Sequence, residues 1–97
     1  MRYRLTKKAE DDVIQVFLQG ARLFGIERAH GYHRELETIF GLIAANPGLA
    51  RERHEISSLL RIHPYKAHLI LYLVEETDGV LIVRVRHGHE DWETAPV

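Results

Sequence analysis

The residues best equipped for chemistry crowd one stretch near the C-terminus, Ile82-Val83-Arg84-Val85-Arg86-His87-Gly88-His89-Glu90-Asp91-Trp92. On a β-strand successive side chains point to opposite faces, so Val83 and Val85 are expected on one face and Arg84 and Arg86 on the other. Two cations would then share a face with the imidazoles and carboxylates that follow, a surface suited to gripping something anionic. The plainer reading is that Arg84 and Arg86 are solvated outward positions and Trp92 caps the edge of the core. Taken one by one, Arg86 and Trp92 fit the plainer reading; taken as a cluster, the segment fits a binding surface, with Arg84, Arg86, His87 and Trp92 as anchors, Arg and Trp being enriched at interface hot spots.

The chain has seven histidines, which raises metal binding. His87 and His89 would share a face if the strand persisted, with Glu90 or Asp91 as oxygen ligands. Gly88 argues against this, because it marks where alternation fails. His30 and His33 sit three apart on a helix, His30 on its polar face and His33 at the margin of the apolar stripe, and solvated imidazoles account for both. No metal and no other cofactor is expected.

The elements that position these groups are legible from periodicity. Arg2 to Leu5 reads as a short strand. Thr6 is an N-cap, with Glu10, Asp11 and Asp12 early in the helix it starts, where anions are favoured. That helix runs from Lys7 to Phe24, with Val13, Phe17, Ala21 and Phe24 at helical spacing and Gly25 as its stop. A second helix, Ile26 to Ala45, carries Ala29, Tyr32, Leu36, Ile39, Phe40 and Ile43 on one stripe and ends at Asn46-Pro47-Gly48. So short a link requires an antiparallel helical hairpin. The polar stretch Leu49 to Ser58 reads as a loop. Strands follow at Leu60 to His63, stopping at Pro64, at Ala67 to Glu75, and at Val80 to His87, the last two joined as a hairpin through Glu76-Thr77-Asp78-Gly79. The expectation is an α+β fold, an N-terminal strand and a helical hairpin packed on a small antiparallel sheet, in a single domain spanning residues 1–97.

The apolar arc of the first helix is unusually broad, since Ile14 and Leu18 extend it on one side and Val16 and Leu23 on the other. Either the helix uses the whole arc to touch both the sheet and its partner helix, or part of it stays exposed until another protein covers it.

Composition narrows the classes. A 97-residue chain buries roughly 60 to 65% of its unfolded surface, enough to fold but poor for enclosing a cofactor. With 13 Lys+Arg against 14 Asp+Glu it lacks the positive field of a general nucleic-acid binder. The absence of cysteine removes disulfides and thiolate metal sites. No apolar run approaches the ~18 residues of a membrane span, and Met1-Arg2-Tyr3-Arg4 does not lead into a signal peptide. A cytoplasmic protein without membrane contact is expected.

The ordered series Leu5-Thr6-x-x-Ala9-Glu10-x-Asp12, Ala29-x-x-Tyr32-x-x-x-Leu36, Asn46-Pro47-x-Leu49, Leu60-Arg61-x-x-Pro64-Tyr65, His68-x-Ile70-x-Tyr72 and Ile82-x-Arg84-Val85-x-His87-Gly88-x-x-Asp91 resembles the ParE branch of the RelE/ParE toxin superfamily. The likeness runs from Tyr3 to Trp92 and lies in the sum of the pieces. The chain departs from the usual pattern at Ala50, where glycine is common, and at Lys66-Ala67, where Gly-Arg-like pairs are common. The resemblance implies the toxin of a type II toxin-antitoxin pair, neutralised by a ParD-like ribbon-helix-helix antitoxin and acting on DNA gyrase, with DNA contacted only indirectly. Such a toxin needs no catalytic group, because preferring the cleaved gyrase-DNA state is enough to populate it.

RelE-like members of the superfamily instead cut mRNA in the ribosome, which requires a base, an acid and cations for the phosphorane charge. Arg61, Arg84 and Arg86 would be the cations and His87 the single well-placed proton carrier, an incomplete set. This activity is the alternative. For the antitoxin, the candidate contacts are Val16, Phe17, Leu23 and Phe24 on the first helix and Arg61 and Tyr65 at the end of the sheet, where a segment folding on binding would lie. Tyr65 and Tyr72 fit equally well as core rings with hydroxyls reaching the surface.

Overall fold

The computed structural model describes residues 2–53, 59–76 and 79–88. Strand β1 (Tyr3–Leu5) leads into helix α1 (Lys7–Phe24), helix α2 (Ile26–Ala45) and a single 3-10 turn (Pro47–Leu49); strands β2 (Arg61–Tyr65), β3 (His68–Glu75) and β4 (Gly79–His87) complete the fold. The helix boundaries are those expected from the sequence. Thr6 shows why α1 starts where it does: its Oγ1 accepts the Ala9 amide at 3.0 Å and donates to the Val83 carbonyl at 2.7 Å, so one hydroxyl caps the helix and ties it to β4. Gly25, at φ 95°, is the sole residue between the helices, and its amide bonds to the Ala21 carbonyl.

The sheet order is β1-β4-β3-β2. The meander β2-β3-β4 is antiparallel as expected, and β1 adds in parallel to β4, which makes the four-stranded sheet mixed. Strand β2 does not stop at Pro64 but continues through it to Tyr65, with Pro64 opposite Leu69. An edge strand tolerates a residue that cannot donate to the ladder.

The helical hairpin covers one face of the sheet. Ala9 and Val13 of α1, Leu36, Phe40 and Ile43 of α2, and Ile70, Tyr72, Val80, Ile82 and Val85 of the sheet form the core, while Leu60, Ile62 and Leu71 form a second, smaller cluster. The α2 stripe is used as expected: Tyr32 and Ile39 pack against the core and the other members are buried. The broad arc of α1 is used only in part: Ile14 and Leu18 are each 53% exposed, Leu23 59% and Phe24 62%.

The expected alternation along β4 is also corrected. Tyr72 pairs with Ile82 and Leu71 with Arg84, so Val83 is an extra residue without a cross-strand partner. This bulge resets the faces: Ile82 and Val85, three apart, both enter the core, and Val83 and Val85 are not equivalent positions.

Candidate functional site

Arg84, expected on a cationic outer face, is folded back onto α1. Its Nε and Nη2 donate to Asp12 Oδ2 and Oδ1 at 2.6 and 2.9 Å, and the Val85 amide donates to the same Oδ2 at 3.0 Å. Arg84 and Asp12 retain only 19% and 16% of their side-chain exposure. The bulge at Val83 places these donors together beside the first turns of α1, where Asp12 accepts all three. Arg86 stands opposite Leu69 and is half-buried. Trp92, with His89, Glu90 and Asp91, lies outside the described residues.

Arg61 is likewise engaged within the fold. Its Nη1 donates to the Ala50 carbonyl at 2.6 Å and its Nη2 lies 3.7 Å from Glu52 Oε2, holding the segment after α2 against β2. His87 sits in the row Tyr65-His68-His87 across the sheet, four residues from the row of Arg61 and Tyr72, or about 13 Å at the usual rise per strand residue. Arg61, Arg84 and His87 are therefore spread over the sheet, with Arg84 bound to Asp12, and form no single constellation.

What the fold does gather is a groove of about 680 Å³ between α1, α2 and the β2-β3 turn. Val16, Phe17, Leu23 and Phe24, the four helix residues singled out from the sequence, all line it, together with Val13 and Leu36. Phe17 meets the ring of His30 edge-on at 4.9 Å and that of His33 at 6.4 Å, so the His30/His33 pair flanks an aromatic ring. Arg61 and Tyr65 do not line this groove. Tyr65 is partly buried against the core, its hydroxyl donating to Glu35 Oε1 at 2.5 Å, where Lys66 Nζ also donates at 2.7 Å. These two hydrogen bonds, Lys66 first, hold the Glu35 carboxyl below its ordinary pKa. The same bonds to Glu35 raise the Lys66 ammonium and the Tyr65 phenol.

The groove ends on polar rings that the sequence did not reveal as a group. His68 and His87 meet edge to face at 5.4 Å, and Tyr32 Oη lies 2.7 Å from His68 Nδ1 and 3.4 Å from the Tyr65 carbonyl. Burial, then the neighbouring Tyr65 and Glu35, pushes the Tyr32 phenol up to about 12, so it serves as a neutral hydroxyl. Lys66 Nζ stands 5.8 Å from the Tyr32 ring centre and 5.4 Å from that of Tyr65, within cation-π range. Tyr32 and His68 are 36 residues apart, so only the packed fold could bring them together. Among the described residues no three His, Asp or Glu side chains converge as metal ligands, and no helix is long and apolar enough to cross a membrane.

Three comparisons bear on these features. Residues 3–92 match the family described as the ParE toxin of the type II toxin-antitoxin system, parDE. Toxin ParE1 of Caulobacter vibrioides is 29% identical over 85 residues, which is 88% of this chain and 86% of that protein. A solved chain from the chromosomal ParDE TA system of P. aeruginosa superposes with a TM-score of 0.77 at 16% identity, covering 90% of this chain and 95% of its own, a likeness of fold. With the family match spanning nearly every described element, the chain belongs to the ParE toxin family of type II toxin-antitoxin systems.

Proposed function

We propose that the chain is a toxin that binds DNA gyrase, traps its DNA-cleavage complex without catalysis of its own, and is neutralised by a ParD-like ribbon-helix-helix antitoxin. The observation that carries the antitoxin half is the groove: Leu23 and Phe24 stand more than half exposed beside it, an arrangement suited to the apolar face of a helix that folds on binding. The non-catalytic half is supported by the scatter of Arg61, Arg84 and His87 over the sheet, which keeps these three from meeting around one reacting phosphate. Gyrase contacts then fall to the end of β4, at Arg86 and His87 together with Trp92. Arg84 contributes by holding that strand on Asp12. Action on gyrase places the protein in the cytoplasm, touching DNA only through its partners.

Expression of the chain alone in a bacterium tests toxicity, and co-expression with the antitoxin encoded beside it tests neutralisation. Purified toxin with gyrase and supercoiled plasmid should accumulate linear DNA. Intact plasmid together with cut mRNA in a translating extract would instead establish the RelE-like reading and overturn this one.

A further inference from the structure

The groove keeps its apolar and its charged residues on different walls. Val16, Phe17, Leu23 and Phe24 of α1 form one wall, and α1 contributes no ionisable group to the lining. Arg28 and Glu35 come from α2, and Lys66 from the turn between β2 and β3. Arg28, Tyr32 and Glu35 recur at spacings of four and three, so they stand on one side of α2. Seven residues carry Glu35 about 10.5 Å along the helix axis from Arg28.

The three charges are not equivalent. Glu35 Oε1 accepts from Lys66 Nζ at 2.7 Å and from the Tyr65 hydroxyl at 2.5 Å, so this carboxylate is already compensated. Lys66 is the more exposed partner of the pair, at 57% against 41%, and its ammonium has three donors to share. Arg28 is exposed, and among the described residues no hydrogen bond or ion pair holds it. The α2 lip therefore presents one uncompensated guanidinium and, two turns further on, an ion pair with its cation outward. A nucleic-acid backbone would answer these cations but leave Leu23 and Phe24, 59% and 62% exposed, without apolar cover. An amphipathic helix answers both, and one lying along α2 repeats the same spacing every seven residues.

We propose that the antitoxin helix in the groove has an acidic flank, on which two carboxylates seven residues apart meet Arg28 and the Lys66 ammonium while the apolar face covers Leu23 and Phe24. The inference rests on the reading that the antitoxin occupies the groove, and adds the pattern by which its helix is recognised. Glu35, the single carboxylate of the lining, repels such a flank and so restrains affinity. The charge contacts add specificity and speed of association to the apolar contact, and they weaken with salt.

Surface plasmon resonance of the full-length toxin against the antitoxin encoded beside it, at low and high salt, tests this. Arg28→Glu should weaken binding at least about tenfold at low salt, with a smaller loss at high salt. Arg22→Glu makes the same change in net charge on an α1 residue outside the groove lining, and should stay within about twofold. Both arginines are exposed on helices, so neither change threatens the fold. Glu35→Gln should tighten the complex about two- to fivefold. Replacing each acidic residue of the antitoxin helix by Lys in turn should find one that restores binding to Arg28→Glu. Equal effects of Arg28→Glu and Arg22→Glu, or the absence of any restoring replacement, overturn the proposal; a tenfold loss in Glu35→Gln also overturns it, by making Glu35 the anchor for a basic flank. Leu23→Ala with Phe24→Ala, which alters no charge, separates the two levels. If affinity is unchanged, the groove is not the antitoxin site and both readings fail; if affinity falls while Arg28→Glu and Arg22→Glu behave alike, only the acidic flank fails.

Discussion

Arg84 and Asp12, 72 residues apart, form a two-point ion pair that welds β4 to α1, and the Val85 amide makes Asp12 a triple acceptor. With less than a fifth of either side chain exposed, the pair is sheltered enough for its loss to matter. Asp12→Ala removes the acceptor of two guanidinium bonds and one amide bond and should cost about 2 to 4 kcal/mol. Arg84→Ala keeps the Val85 bond and should cost less. Urea denaturation of both single variants and the double variant gives the coupling; a coupling near zero would show that the contact is incidental.

Tyr72 is fully buried, and its hydroxyl donates to the Pro47 carbonyl at 2.9 Å while accepting the Ala50 amide at 3.2 Å. The ring is core, as its sequence context suggests, but the hydroxyl reaches the turn after α2 rather than the surface. Tyr72→Phe orphans two backbone groups for the sake of one oxygen, and about 1 to 3 kcal/mol of stability should be lost. The denaturant slope should not change, because the surface exposed on unfolding is the same.

Two glycines should respond in opposite directions. Gly79 sits at φ 86°, and a Cβ there would run into the Arg2 backbone that β1 lays against β4; Gly79→Ala should destabilise by more than about 1 kcal/mol. Gly41 lies in α2 with open space around its Cβ direction, and Gly41→Ala should stabilise by about 0.5 to 1 kcal/mol. Melting temperatures of the two variants should bracket the wild type, separated by several degrees for a domain of this size.

These examples show which parts of the molecule can be read from sequence. Helix ends were legible because Thr6 and Gly25 act locally, through their own side chain or dihedral angle. On β4 only Val83 departs from the expected faces, because a bulge is invisible to a rule of strict alternation; Arg84 and Arg86, opposite Leu71 and Leu69, share a face as expected. Arg84 and Arg61 read as binding cations in the sequence because nothing in their neighbourhood names Asp12 or the Ala50 carbonyl as partners. Val16, Phe17, Leu23 and Phe24 stand out in the sequence as candidate contacts because excess apolar surface on a helix is a periodic signal; that they line one groove appears only in the fold. Tyr32, His68 and His87 were not grouped, since three separate elements supply them.

The Glu35-Tyr65-Lys66 cluster predicts a pH window. Hydrogen bonds from Lys66 and Tyr65 lower the Glu35 pKa from 4.5, so its stabilisation is complete above that unfolded value and is lost as pH falls through the lower folded value. Lys66 and Tyr65 are raised from 10.5 and 10.0; their contributions are complete below those values and are lost as pH rises through the higher folded ones. Melting temperature should therefore fall at both acid and alkaline extremes, and Glu35→Gln should blunt both declines. The groups are exposed, so the effect should be small and should shrink in high salt. An acid limb identical in Glu35→Gln would exclude this cluster as its source.

Phe24 offers the sharpest division between folding and function. Its side chain is 62% exposed at the end of α1, so replacing it by Asp removes little buried area and should move stability by no more than about 0.5 kcal/mol. The same change puts a charge on the apolar wall of the groove, where an antitoxin helix would have to desolvate it, and affinity should drop by at least about tenfold. Cells co-expressing the variant and the antitoxin should stop growing if the gyrase contacts do not depend on Phe24, as the position of Arg86 outside the groove lining implies. Continued growth with undiminished complex on size-exclusion chromatography would show that Phe24 faces solvent in the complex too, and that the antitoxin lies on another surface.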